Sequence, residues 1–323
     1  MASMITMFLQ SAYSMIDGLF VSNLIGDTAL SAVNVAWPII AVVTAIGTGV
    51  GCGGAVMMST KQGEGKNEES NIVRANVILA LLASSIVVTI LFLILLTPLL
   101  KLMGAEGELL RLSQIYGRVM LTGGVLQILS CGLTPLLRND NRAVSAMMIM
   151  VGGLFANLGL DFVFMYVFHM GIGGAAGASL CAQLFTTLCC LMILGTKKTD
   201  PIRFSQFKIR KEYWKKIFKT AISPFGISLT PSLLILYHNV ACLKFGGDLA
   251  VNAYALISST VGSYRVLLIG VAEGIQPLAS YAYGAHDFHA IRKIRNKAVI
   301  TAMGVSFFLF IFTIATARFY PAI

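Results

Sequence analysis

The sequence predicts an all-α polytopic membrane protein, and composition gives the first two reasons. Hydrophobic residues make up 57% of the 323 residues, and charged residues make up only 12%. A soluble domain carries about 25% charged residues, so this share is low. Mean hydropathy is +0.81. The third reason is a succession of apolar stretches that are long enough to cross a bilayer.

Nine apolar stretches are predicted to be transmembrane helices. At 1.5 Å per residue, each is long enough for a hydrocarbon core of roughly 30 Å. They cover residues 1–23, 29–59, 75–99, 109–136, 143–168, 173–196, 217–243, 250–281 and 298–317. The six cysteines lie in these spans without a CxxC pair, which favours packing roles over disulfides or a metal site.

The loops between the spans alternate in charge. The loops after the second, fourth, sixth and eighth spans hold 18 of the 24 Lys and Arg residues. The positive-inside rule therefore predicts that these loops and the N-terminus are cytoplasmic. The longest, residues 197–216, is predicted to be a basic linker on the inner leaflet. Topology also explains the net charge of +10, so nucleic acid is not an expected partner.

An internal repeat divides the chain into two lobes. A shift of 221 residues aligns Gly26–Arg74 with Gly247–Arg295 without a gap, and ten of the 49 positions are identical. The repeat pairs the second span with the eighth in the same orientation, which predicts parallel six-span repeats. We therefore expect a six-helix N-terminal lobe (1–196), the linker, and three helices of a C-terminal lobe (217–323). Twelve spans are expected in the whole architecture, and this sequence contains nine.

The fifth span contains a polar pair, Asn157 and Asp161, one helical turn apart on one face. A carboxylate at this depth in a membrane is costly unless it faces protein, water or a cation. The pair therefore predicts a functional site. The alternative is a buried aspartate that is hydrogen-bonded to a neighbouring helix.

Counting residues from the predicted span ends places further polar groups near this pair. Asp17, Asp161 and Ser179 are all about 9–11 Å below the outer membrane edge at 1.5 Å per residue. Two carboxylates in a dry site favour neutralisation, either by a proton or by Na⁺. We therefore predict a proton or cation site here. The predicted cavity also includes residues about one turn deeper, which are Gln10, Tyr13, Tyr116 and Gln183.

Several motifs resemble those of the multidrug and toxic compound extrusion (MATE) family, in the bacterial branch that includes DinF and MepA. They are Tyr13–Val21, Gly26–Ala32, Asn157–Asp161, Gly173–Ser179 and Gly274–Ala285. The resemblance implies a two-lobe, V-shaped transporter and cation-coupled efflux. It assigns cation coupling to Asp17, Asn157, Asp161 and Ser179, where the family usually has Thr at the last position.

Two polar residues mark the predicted second lobe. Glu273 occupies the repeat position of Cys52, and it is predicted either to bind a cation or cationic substrate or to pair with Arg265. His238 occupies the repeat position of Asp17, which suggests a polar cavity. The alternative for His238 is a satisfied, buried histidine.

These observations predict a secondary antiporter that exports amphipathic, often cationic, organic compounds in exchange for H⁺ or Na⁺. It is expected to be a monomer in the bacterial inner membrane, in contact with lipid, with no enzyme activity and no cofactor besides the coupling ion. The alternatives are a lipid-linked precursor flippase, an intramembrane aspartyl protease and an inactive remnant. A flippase would need several intramembrane cations to bind a pyrophosphate, and the predicted site is acidic.

Overall fold

A computed structural model describes residue 9 and residues 25–195, 206–207 and 209–316 of the chain. The first predicted span, with Gln10, Tyr13 and Asp17, lies outside the described residues, as does most of the linker. Within the described residues, every regular element is a helix, which confirms the predicted all-α class. The elements are α1 (Asp27–Gly63), α2 (Asn67–Leu102), α3 (Gly107–Thr122), α4 (Gly124–Asn139), α5 (Ala143–Asp161), a π-helix (Phe162–Val167), α6 (Gly171–Leu194), α7 (Lys211–Gly284) and α8 (Phe288–Thr316).

Five of the described helices are long and apolar enough to cross a membrane, and a sixth crossing is made if α3 and α4 count as one bent span. The protein is therefore a multi-pass membrane protein. The predicted fourth span differs from a simple helix, because α3 and α4 meet at Gly123 at an angle of 57°.

The helix α7 contains the predicted seventh and eighth spans and doubles back on itself. A straight helix of 74 residues would be about 111 Å long at 1.5 Å per residue. Ala221 near one end and Gly284 at the other end nevertheless both lie against the second half of α1. The rings of His238 and Tyr254 stack with their centroids 5.0 Å apart, so the reversal lies between these residues.

The two arms of α7 run in opposite directions beside α1. We call residues 211–238 the outgoing arm and residues 254–284 the returning arm. We call α1 to α6 the first half of the molecule, and α7 and α8 the second half. The helix α1 is central, because it packs against α2, α3, α4 and α7.

The C-terminal ends of the second, fourth, sixth and eighth predicted spans lie together at one end of the molecule. Gln62 donates a hydrogen bond to Asp140 at 3.2 Å, and Arg142 donates one to the carbonyl of Ile193 at 2.8 Å. Gly284 lies against the last turn of α1. We call this the basic end. Its composition agrees with the predicted alternation of the loops across the membrane.

A buried ion pair fixes the basic end of the first half. Arg74 of α2 donates to Asp140 at 3.3 Å and to Asn71 at 2.9 Å, and its side chain is almost fully buried. Burial raises the pKa of Asp140, whereas Arg74 and the hydrogen bond from Gln62 act to lower it. Burial has the larger effect, so the pKa of Asp140 lies above its usual value, and Arg74 limits the increase.

We expect Arg74→Met to lower the free energy of unfolding by about 3–5 kcal/mol, the usual cost of leaving a buried charge without its partner. The loss of Arg74 leaves burial to raise the pKa of Asp140 further. A carboxyl whose pKa is raised by folding stabilises the protein below that pKa and loses this contribution as pH rises through it. Thermal unfolding in detergent should therefore show a larger defect in alkaline than in acidic buffer. A variant that unfolds at the wild-type temperature at every pH would contradict this.

Candidate functional site

The predicted pair Asn157 and Asp161 is buried in the first half of the molecule. The Nδ2 atom of Asn157 donates a hydrogen bond to the Oδ2 atom of Asp161 at 3.0 Å. Asp161 is 0% exposed and Asn157 is 6% exposed, whereas Phe155 and Phe162 are largely exposed. The polar face of the helix therefore points into the protein, and the aromatic face points outward.

Asp161 lies where the helix changes type. It is the last residue of α5, and the π-helix begins at the next residue, Phe162. The wider π turn continues to Val167, and the amide of Met170 then donates to the carbonyl of Phe164 at 2.9 Å. Short π-helical segments are rare and occur frequently at functional sites. The sequence does not predict this change of helix type, because the apolar residues of the segment suit either helix.

The helix α6 brings a second polar pair to the same level. A Cβ atom at Gly153 would lie 2.7 Å from the Thr186 hydroxyl, and one at Gly174 would lie 3.3 Å from the Phe164 Cβ atom. These contacts set an antiparallel register between α5 and α6.

In this register, Ser179 lies level with Asp161, and Gln183 lies level with Asn157. The predicted common depth of Ser179 and Asp161 agrees with this packing. The Oε1 atom of Gln183 is buried and has no hydrogen-bond partner among the described residues. An unpaired buried carbonyl oxygen is costly unless water, an ion or a ligand contacts it.

The break between α3 and α4 lies beside these residues. A Cβ atom at Gly123 would lie 2.2 Å from the Cδ2 atom of Leu180, in the turn between Ser179 and Gln183. The amide of Gln127, which is fully buried, donates to the carbonyl of Met120 at 2.8 Å and bridges the break. Interrupted membrane helices occur where the backbone is buried in protein or lines a cavity, and they often mark binding sites. The sequence signal for this break is the pair Gly123-Gly124.

Tyr116 lies nearer the outer end than the residue count predicted. It is buried in α3, and its neighbour Ile115 lies 3.7 Å from the position of a Cβ atom on Gly173. Because α3 and α6 run in the same direction, Tyr116 lies more than one turn above Ser179. The prediction had placed Tyr116 below it, level with Asn157. The residue count assumed that the fourth and sixth spans begin at one level, whereas α3 begins at Gly107, eight residues before Ile115, which lies level with Gly173.

His238 lies near the reversal of α7 and is exposed. Its Nδ1 atom is 2.8 Å from the carbonyl oxygen of Leu234, and its ring stacks on Tyr254. The histidine is therefore satisfied by its own helix and by a ring contact, although it is not buried.

Glu273 forms an ion pair with Arg138 of α4. The predicted pairing of Glu273 with Arg265 was therefore wrong. That prediction considered only residues of the same helix, whereas packing of the two halves brings α4 beside the returning arm. Cys52, the repeat partner of Glu273, lies beside both members of the ion pair.

The first half therefore presents oxygen atoms that suit a hard cation. Oxygen is the ligand atom that Na⁺, like other hard cations, prefers. Side-chain oxygen atoms are present on Asp161, Asn157, Ser179 and Gln183. Asp17 would be the second acid, and its position lies outside the described residues. A proton on Asp161 would neutralise the same group without any further ligand.

The family model named MatE matches residues 2–163 and 227–322. The chain is 26% identical over 310 residues to the multidrug export protein MepA of Staphylococcus aureus strain N315, a match that covers 94% of this chain and 67% of MepA. The MepA of Staphylococcus saprophyticus is 25% identical over 282 residues and matches over 62% of its length.

Two solved structures extend this similarity to the fold. One is the outward-facing conformation of a multidrug resistance MATE family transporter of the MOP superfamily, with a TM-score of 0.91 and 26% identity over 97% of this chain and 69% of that one. The other is a MOP superfamily transporter from Pyrococcus furiosus, with a TM-score of 0.92 and 26% identity over 98% of this chain and 70% of that one. Because the family model covers most of the chain and the helical fold matches as well, this multi-pass membrane protein belongs to the MatE family.

Proposed function

We propose that the protein is a multidrug efflux transporter that exports amphipathic, often cationic, compounds in exchange for H⁺ or Na⁺. The observation that carries the proposal is the buried Asn157–Asp161 pair at the start of the π-helix, level with Ser179 and Gln183 on α6. The names of the relatives, both multidrug export proteins, support the substrate class.

The sign of the charge favours a cationic substrate. A carboxylate in a low-dielectric site attracts a lipophilic cation, and the attraction weakens when a proton or Na⁺ neutralises the acid. Such neutralisation drives transport only if it favours one conformation of the protein over the other. We propose that Asp17, outside the described residues, shares this role with Asp161, and that Gln10, Tyr13 and Tyr116 line the path of the substrate.

The remaining predictions about the setting belong to the same proposal. The basic end is proposed to face the cytoplasm of a bacterial cell, with the N-terminus on that side, because the loops there hold most of the lysines and arginines. The protein is proposed to act as a monomer. His238, which lies in the second half, is proposed to contribute to substrate handling there, whereas Glu273 is already paired with Arg138.

The proposal is tested by export of a fluorescent lipophilic cation, such as ethidium, from proteoliposomes that contain the purified chain. An imposed pH gradient or an imposed Na⁺ gradient, each applied alone, identifies the coupling ion. We expect export above that of protein-free vesicles with one of the two gradients. Equal dye movement with and without protein under both gradients would contradict the proposed function.

Substitution of Ser179 tests the hydroxyl that lies level with Asp161. We expect Ser179→Ala to reduce the initial export rate about tenfold, equivalent to about 1.4 kcal/mol, a usual value for one lost hydrogen bond to a charged group. Ser179→Thr keeps the oxygen and should keep the rate. The matched control is Ser84→Ala in α2, because that hydroxyl donates only to the Ala80 carbonyl of its own helix. Equal rates for Ser179→Ala and the wild type would remove Ser179 from the site.

A further inference from the structure

The two halves of the molecule meet in a symmetric crossing at the basic end. A Cβ atom at Gly63 would lie 2.1 Å from the carbonyl oxygen of Tyr281, and one at Gly284 would lie 2.0 Å from the carbonyl oxygen of Thr60. Gly63 and Gly284 are 221 residues apart, and so are Thr60 and Tyr281. The two contacts are therefore copies of each other under the internal repeat, and a pseudo-twofold axis passes between α1 and the returning arm. We call these four residues the crossing.

Only glycine fits at the two positions of the crossing. The atoms that a Cβ would meet belong to the backbone, so a side-chain rotation cannot relieve the overlap. Van der Waals attraction holds the two helices together at these glycines, and this attraction falls off when the helices separate by about an ångström. The crossing is therefore either fully formed or lost.

An ion pair spans the two halves a few turns deeper. Arg138 near the end of α4 belongs to the first half, and Glu273 belongs to the returning arm of the second half. Their side chains are 7% and 19% exposed, so little water screens the attraction. The same pair would stabilise the protein far less if the two halves separated and water entered, because exposed ion pairs contribute little to stability.

The symmetry of the crossing stops at this ion pair. The repeat partner of Glu273 is Cys52, which carries no acid, and Cys52 lies beside Glu273 and Arg138 on the axis. The cysteine is 6% exposed. Among the described residues, Glu273 is thus the acid beside the axis, and Arg138 of the first half pairs with it.

We propose that the crossing and the Arg138–Glu273 ion pair form a latch that holds the two halves together at the basic end. This inference rests on the proposed transport function, in which the molecule must open at each end in turn. The latch is complete in the conformation described here, and opening at the basic end must break both of its parts. Because the parts are short-range, they give two discrete states and no gradual loosening. Glu273 is therefore a positioning residue, because it acts by shifting the equilibrium between the two conformations.

Cys52 reports on the latch directly. In a variant whose other cysteines are replaced by serine or alanine, a membrane-impermeant maleimide is added to vesicles in which the basic end faces outward. Separation of the halves exposes Cys52 to the reagent. The replaced residues are Cys131, Cys181, Cys189, Cys190 and Cys242.

We expect Arg138→Gln and Glu273→Gln each to raise the labelling rate of Cys52 about tenfold, the shift given by losing one charge-assisted hydrogen bond. The charge-swapped double variant, Arg138→Glu with Glu273→Arg, should return toward the wild-type rate. The double variant Arg138→Gln with Glu273→Gln leaves no buried unpaired charge, so it keeps the test available if a single variant does not fold. The control is Glu108→Gln, because the Glu108–Arg111 pair is exposed.

Opposite changes in the two single variants would overturn the proposal. A negative charge disfavours formation of a nearby reactive thiolate, and a positive charge favours it. A purely local charge effect would therefore raise labelling in Glu273→Gln and lower it in Arg138→Gln. Opening raises labelling in both. Unchanged rates in both variants would also overturn the proposal.

The crossing is tested in the same assay. Gly284→Ala should also raise the labelling rate, because a methyl group has no room against the carbonyl of Thr60. Gly262→Ala is the matched control in the same arm, since no described atom lies within 4 Å of its added Cβ. Equal rates in the two variants would remove the crossing from the latch. The assay needs no transported compound, so a chain that responds to these changes but exports no dye would refute the proposed function and leave the latch intact.

Discussion

Asp161→Asn is expected to abolish ion-coupled export of lipophilic cations while the protein remains folded. The amide has nearly the shape of the carboxylate and can still accept the hydrogen bond from Asn157. It cannot carry a negative charge, bind a proton near neutral pH or neutralise Na⁺. The variant therefore loses the event that distinguishes the two conformations, and a ligand that binds both equally shifts neither. The measurement is dye export from proteoliposomes under the gradient that drives the wild type.

The size of this effect follows from the burial of the group. Asp161 is fully buried, and in such a site one unit charge interacts much more strongly than it would in water. We expect the coupled rate to fall to the background of protein-free vesicles. Substrate binding, measured by fluorescence quenching, should weaken by about tenfold or more for a cationic dye, as expected for loss of one charge-assisted contact.

The matched control is Asp287→Asn, which removes an acid at an exposed helix start. The Oδ1 atom of Asp287 accepts a hydrogen bond from the amide of Ala290 at 2.8 Å, and asparagine caps a helix equally well. This variant should export at the wild-type rate. If Asp161→Asn exports as well as Asp287→Asn, the buried acid is not the coupling group, and the alternative reading of Asp161 as a structural hydrogen-bonded residue gains support.

The sequence predicted the local features of the site well because they depend on helical spacing. The four-residue separation of Asn157 and Asp161 requires that they share a face, and the observed hydrogen bond agrees. The common level of Ser179 and Asp161 was predictable because each lies a similar number of residues from the outer end of its span, and the two spans are antiparallel neighbours. The internal repeat was also visible in sequence, and its glycines and their neighbours become the symmetric contacts of the crossing.

The features that the sequence did not predict depend on packing between elements. The bend at Gly123 and the π-helix after Asp161 arise where a helix fits around its neighbours, and each lies within a stretch long and apolar enough to be one membrane span. The partner of Glu273 lies 135 residues away in sequence, so no helical period indicates it. Tyr116 was placed too deep for the related reason that the sequence does not show how far α3 extends above the start of α6.

Gly51→Ala is expected to cause a large loss of stability. A Cβ atom at Gly51 would lie 2.4 Å from both the Cα and the carbonyl oxygen of Gly132. Both atoms belong to the backbone of α4, so the helices must separate. In a membrane, where helix association depends on van der Waals packing between small residues, such separation removes the contact itself. Overpacking costs about 1–3 kcal/mol and occasionally more, and a backbone overlap belongs to the upper end of that range.

The measurement is the yield of monodisperse protein in detergent together with its unfolding temperature. Gly304→Ala in α8 is the matched control, because no described atom lies within 4 Å of its added Cβ and alanine favours a helix over glycine by about 1 kcal/mol. This control should be as stable as the wild type or more stable. Because the intrinsic helix propensity acts in the same direction at both sites, any difference between the two variants reports the packing of α1 against α4. Similar unfolding temperatures for Gly51→Ala and Gly304→Ala would show that these helices do not approach as closely as described, and the position of α1 at the centre of the fold would lose its main support.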